Sequence, residues 1–273
     1  MNVLSVAPGP SFIARASSPT EEPPQPQDSL EPGRRELVAK VLGRTCQAAA
    51  LVTAARIALE VAAQPGLAGK IAAGAMALGA AGAGLVAADF ASGVFHWSID
   101  NYPDENTPLV GGTAKSFQDH HRASGMDEVS VWENILPSAA AMTLPMVALA
   151  AFTPHYALAS AGLAFCGGGV LAQASHRWSH MENPPGLARV LQKAGISQTS
   201  ENHAKHHNQP FDEYYCIVNG SLNPLLARTN FWRHLERGVH KLTGAEPRSW
   251  QDPVVKDLAL GKITREQARE LKS

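Results

Sequence analysis

The sequence predicts an all-α, multi-pass membrane helical bundle with a histidine-rich di-metal site at one membrane face, and three observations predict it. From Ile135 to Ser175 there is no Asp, Glu, Lys or Arg. At 1.5 Å per residue, about twenty residues cross the roughly 30 Å hydrocarbon core, so this run is long enough for two spans that turn at Thr153, Pro154 and His155. Ile71 to Ala88 is a further span of Ala, Gly, Leu, Val, Ile and Met that ends at Asp89, and its small residues permit close helix approach in lipid. Finally, eight of the eleven histidines fall into four tight groups standing where apolar runs end. The mean hydropathy of −0.12 hides this pattern, because polar residues are concentrated at the two ends and around the histidines.

Taken in order, Met1 to Thr20 contains no acidic residue and is rich in Ser, Ala and Pro with one Arg. That composition fits a short transit peptide and equally a plain disordered tail. Glu21 to Gln27 is a Pro-rich linker. Residues 1–34 are therefore expected to be a disordered N-terminal segment, 35–250 the membrane domain and 251–273 a C-terminal tail. Cys46 to Ala63 is a weaker span because it carries Arg56 and Glu60; their spacing allows an i, i+4 pair, and an intramembrane charge is costly unless it is paired or faces the bundle interior.

His96 follows Ala88 by eight residues. If the helix runs through, Asp89, His96 and Asp100 share a face. Asp100 is read as the residue that ends this helix ahead of Asn101, Tyr102 and Pro103, with two alternatives: a metal ligand, or the acceptor that fixes a ligand's tautomer. His120 and His121 precede the charge-free run; His176 and His180, four apart, follow it. His203 and His207 are again four apart, and His206 is expected to extend their face. Imidazole is the commonest neutral metal ligand, and eight exceed what one tetrahedral ion uses, so two ions fit the count better.

Two spans between His121 and His176 return the chain to one side, so all four groups can meet at one membrane surface, within reach of an acyl chain. Arg122, Arg177 and Lys205 flank these ligands and are read as solvated interfacial charges or as partners for a lipid phosphate. His155, His234 and His240 have no such companions and are left out of the ligand set.

A net charge of −1 without a basic run gives no surface suited to nucleic acid. Cys46, Cys166 and Cys216 form neither a disulfide framework nor a thiolate zinc site. A zinc-dependent membrane hydrolase needs only three or four protein ligands and an activated water, so the surplus of histidines argues against it. A metal transporter is disfavoured because the ligands stand at span ends and do not line an intramembrane path.

The stretch Asp-Phe-Ala-Ser-Gly, His-Trp-Ser-Ile-Asp-Asn-Tyr, Thr-Pro-Leu-Val-Gly and Phe-Gln-Asp-His-His, from Ala88 to His121, resembles the Kua-type lipid desaturases. So does His-Ala-Lys-His-His with Tyr-Cys-Ile-Val-Asn-Gly, from His203 to Asn223. Ile99 to Tyr102, Tyr214 to Gly220 and Pro247 to Trp250 are most similar to the plastid palmitate desaturases of the fatty acid desaturase 4 type. Phe231 to Arg233 and Leu242 to Gly244 lean towards the sister branch, the plasmanylethanolamine desaturases.

The resemblance implies an oxygen-dependent desaturase with two irons on His96, His120, His121, His176, His180, His203, His206 and His207, O2 being the co-substrate. It implies a phospholipid substrate, palmitate in phosphatidylglycerol, gaining a trans double bond near the carboxyl end; the alternative is a vinyl ether in a plasmanyl lipid. With no flavin, nicotinamide or haem-attachment motif in the chain, electrons are expected from a separate carrier, ferredoxin in a chloroplast membrane or cytochrome b5 elsewhere. The location implied is a chloroplast membrane, with endoplasmic reticulum or a bacterial membrane as alternatives.

Overall fold

The computed structural model describes residues 32–122, 130–152 and 155–272, which contain helices, turns and irregular segments and no strand. In chain order come α1 (Pro32–Ala62), α2 (Gly66–Asn101), the short polar α3 (Gly111–His120), α4 (Val131–Ala151) and α5 (Tyr156–His180). All but α3 are long and apolar enough to cross a membrane. The charge-free run is thus divided into two spans as expected; Thr153 and Pro154 at the turn, like residues 1–31, lie outside the described residues. α1 begins well ahead of Cys46, and α2 runs unbroken past Asp89 to Asn101.

In the bundle, α2 packs on α5 and α1 on α4, while contact between α4 and α5 joins the pairs. The small residues act as expected. A methyl at Gly84 would run into the Ala161 carbonyl, and one at Gly168 would lie 2.8 Å from the Ala88 Cβ, so these positions set how closely α2 and α5 approach. Arg56 does not take up the pair with Glu60 that its spacing allows: it donates to the Ala150 and Ala151 carbonyls at 2.6 and 3.3 Å. The last carbonyls of a helix lack intrahelical donors and carry its negative dipole end, so they attract the guanidinium and tie α1 to α4.

After α5 the chain stays on one side of the bundle, forming α6 (Gly186–Lys193), α7 (Ser200–Ala204), α8 (Asn223–Arg228) and α9 (Phe231–Thr243). A 3-10 turn at Arg248–Gln251 then leads to α10 (Pro253–Leu260) and α11 (Arg265–Leu271). Residues 251–272, part of the segment expected as a tail, thus carry the end of the 3-10 turn and two short helices. Asp252 caps α10 by accepting from Val254 and Val255 N–H, and Val255 and Ala259, one turn apart, bury against Trp250.

Between α7 and α8 the irregular segment Tyr215–Val218 is wedged against α2 and α5, fully buried. Backbone without a helix is tolerated there only if its polar groups find partners. They do. Cys216 N–H donates to Asn223 Oδ1 and its carbonyl accepts from Asn223 Nδ2, each at 2.9 Å. Ile217 N–H reaches Ser92 Oγ at 3.1 Å, and the Val218 carbonyl accepts from Ser175 Oγ at 2.6 Å and Gln198 N–H at 2.9 Å. Asp89 takes Asn219 and Gly220 N–H at 3.0 and 2.9 Å. Asp89 thus anchors the wedge, and does not join His96 and Asp100 in a ligand set.

Candidate metal centre

Each predicted histidine arrives by a short local device. α2 delivers His96 and Asp100 in its last two turns, α3 ends on His120 with His121 as its cap, and the last two turns of α5 carry His176 and His180. Thr199 caps α7 by accepting from Asn202 N–H at 3.3 Å; the helix carries His203, and the turn that follows presents His206 and His207.

All eight converge at one end of the bundle, in two groups. His120, His176, His180, His203 and His207 form the first; His96, Asp100, His121 and His206 form the second; within each, one ligand atom per residue lies within 4.8 Å of every other. His155, His234 and His240 stand outside both groups. Two readings change. His206 does not extend the face of His203 and His207, because α7 ends at Ala204 and the following turn swings His206 towards His96, ring centroids 4.4 Å apart. Asp100 is no helix cap: Oδ2 lies 3.2, 3.6 and 3.5 Å from Nε2 of His96, His121 and His206. Four residues after His96 on a continuing helix, it shares that residue's face.

The donor set fits metal. Across the pairs His120–His180, His121–His206 and His203–His207 the Nε2 atoms are 2.9, 2.9 and 3.0 Å apart. Two imidazoles about 90° apart around a cation at about 2.1 Å would have nitrogens separated by roughly 3.0 Å. Both Asp100 oxygens, His96 Nε2 and both His176 nitrogens are buried without a protein hydrogen-bond partner among the described residues, a costly state that a cation relieves. Eight imidazoles and one carboxylate, with no thiolate, suit borderline transition metals. Two tautomers in the second group are fixed. His96 Nδ1–H donates to the Tyr215 carbonyl at 3.0 Å and His206 Nδ1–H to the Glu213 carbonyl at 2.8 Å, which turns each Nε2 lone pair inwards.

The five imidazoles outside the membrane-spanning helices are also held neutral. Burial, reinforced by the neighbouring histidines, lowers His120 to about 3 and, with Asp100 opposing in part, His121 to about 4. It depresses His203, His206 and His207 as well. Neutral imidazole is the form that binds metal. Of the flanking cations, Lys205 is exposed over the Tyr214 ring, 5.1 Å from its centroid, and Arg122 is exposed.

Sequence reasoning missed the wedge carbonyls and Phe211, whose ring stacks on His121 with centroids 4.5 Å apart and planes 3° apart. The one available signal was the apolar Tyr-Cys-Ile-Val run so soon after a histidine cluster.

Four apolar spans with nine converging donors at one end define a membrane protein with a buried, metal-capable histidine cluster. Residues 85–250 match the lipid desaturase domain family, and the chain belongs to that family. It is 35% identical over 173 residues to the chloroplastic fatty acid desaturase 4 of Arabidopsis thaliana, covering 62% of this chain and 53% of that protein. To the plasmanylethanolamine desaturase of Myxococcus xanthus it is 30% identical over 176 residues, 60% of each chain. The mouse plasmanylethanolamine desaturase 1 is also 30% identical, over 60% of this chain and 65% of its own. The chain spans 53 to 61% of the length of the fatty acid desaturase 4-type relatives it matches. No solved structure matches it.

Proposed function

We propose that this protein is an oxygen-dependent desaturase of membrane glycerophospholipids, an oxidoreductase whose eight histidines and Asp100 hold two irons. The observation that carries the reading is the two-group donor cluster at the span ends of a lipid desaturase family member. Bound iron would supply, with O2, the oxidising power to break an unactivated C–H bond, which redox-inert zinc does not.

The chain's own residues set the rest. Near-complete burial of His96, His176, His203 and His206 keeps water from the reacting carbon. A cluster at the span ends supports a shallow reaction site: His96 lies five residues from the end of α2, about 8 Å along a helix, which favours carbons near the glycerol backbone over mid-chain carbons. Exposed Arg122 and Lys205, beside His121 and His206, are suited to the lipid phosphate.

This depth serves both a carboxyl-proximal double bond and a vinyl ether. The higher identity to the chloroplastic relatives favours palmitate in phosphatidylglycerol, trans desaturation, a ferredoxin donor and a chloroplast membrane. In that reading residues 1–34 carry the import signal, 35–250 form the catalytic domain and 251–273 close it. Expression in a host lacking the activity, followed by lipid profiling and metal analysis, tests the proposal. New trans-unsaturated C16 in phosphatidylglycerol with about two irons per chain is expected. New vinyl ethers would move the substrate to the ether lipids, and stoichiometric zinc without iron would overturn the desaturase reading.

A further inference from the structure

We infer that Arg233 and Glu236 on α9 are positioning residues that hold the His96–Asp100–His121–His206 group, and not the five-histidine group, in metal-binding geometry. The inference rests on the two-metal reading above. Both side chains are buried, Arg233 at 4% and Glu236 at 0% exposure. They pair at 2.7 Å. A buried ion pair is poor evidence of a stabilising device, because an apolar pair of similar volume commonly serves the fold as well. Its partners show what it does hold.

On one side Arg233 grips Asp212, donating Nη1 to Oδ2 at 3.1 Å and Nη2 to the backbone carbonyl at 2.7 Å. The next carbonyl, that of Glu213, receives His206 Nδ1–H, and two residues on, Tyr215 receives His96 Nδ1–H. On the other side Glu236 accepts from Ser249 Oγ and Trp250 Nε1, each at 3.0 Å. Ser249 N–H donates to Asn101 Oδ1 at 3.0 Å and Arg248 to the Asp100 carbonyl at 2.6 Å. Asn101 closes the loop by donating to the Tyr215 hydroxyl at 3.1 Å.

One ion pair therefore joins the strip of carbonyls that orients His96 and His206 to the end of the helix that carries Asp100. Among the described residues nothing equivalent reaches the first group: His176 Nδ1 and His203 Nδ1 have no protein hydrogen-bond partner there. Loss of a partner behind a ligand typically weakens metal binding by about 10–100-fold, and here that loss falls on one group alone.

The test is titration of the purified, metal-stripped full chain with Co(II), read by visible absorption and by metal per chain. Wild type is expected to bind two equivalents. The double variant Arg233→Met/Glu236→Leu, which leaves neither partner of the pair as an orphaned charge, is expected to keep one tight equivalent and to bind the second at least about 10-fold more weakly. Arg233→Lys is expected to recover part of that loss. Ser249→Ala removes a single bond to Glu236 and serves if the double variant fails to fold, with a smaller loss in the same equivalent. Equal weakening of both equivalents, or no weakening in a folded variant, overturns the inference. Wild type binding fewer than two ions would overturn the two-metal reading itself, a distinct result.

Discussion

Within the five-histidine group, His176 with His180 and His203 with His207 enter as pairs one helical turn apart, so local backbone geometry does most of the placing. In the second group only His96 and Asp100 are related that way. His121 and His206 arrive from separate segments, and the ring of His206, like that of His96, is aimed by a carbonyl of the 213–215 stretch. The contrast teaches that one donor group is largely a matter of residue pairs one turn apart and the other of how distant segments dock. Perturbations of docking should therefore separate the two.

The largest effect is expected where the groups meet. On the proposed two-metal reading His206→Ala removes a ligand, and with it the partner of His121 Nε2, so product formation in expressing cells should fall by more than about 100-fold, beyond the 10–100-fold typical of outer partners. Helicity measured by circular dichroism should persist, because the bundle packs elsewhere; retention of a tenth of the activity would remove His206 from the centre. Asp100→Asn keeps the shape and deletes the charge. It should weaken one of two metal equivalents by about 10–100-fold in a chelator challenge and leave the other unchanged; equal loss of both would break the comparison.

Gly93 tests the docking directly. A Cβ there would lie 2.6 Å from Cys216 Sγ and 3.3 Å from Trp232, so Gly93→Val should displace the wedge at a cost of about 1–3 kcal/mol in thermal unfolding. Gly169→Val meets the flexible Met142 side chain at 2.8 Å and should cost less. A similar midpoint shift for both would refute this account of the wedge.

Acid sharpens the role of His120 and His121, held at about 3 and about 4 when folded but near 6.5 when unfolded. Their contribution is complete above about pH 6.5 and is lost as pH falls towards those lower values, because the unfolded chain takes up protons that the folded chain refuses. The metal-stripped protein should lose roughly 1 kcal/mol per histidine between pH 7.5 and 5.5, seen as a lower thermal midpoint; an unchanged midpoint would contradict their burial as neutral rings. The smallest effect is expected at His155, which caps α5 by accepting from Ala157 N–H at 3.3 Å. His155→Ala should cost at most about 1 kcal/mol and leave activity unchanged.

By itself the sequence determined the class of fold, the spans and the eight histidines. Each of these is a local pattern: a run without charge, small residues at close-packed seams, or imidazoles one helical turn apart. Only the tertiary structure decided how these side chains divide between two groups, that Asp100 joins one of them, and that Asp89 serves the wedge instead. His120 and His121 are neighbours in sequence, as are His206 and His207, yet each pair splits between the groups, because successive residues on a turn diverge by roughly 100°. The carbonyls of Glu213 and Tyr215 carry no side-chain signature at all. Any residue supplies a carbonyl, so only the path of the chain can aim it at an imidazole.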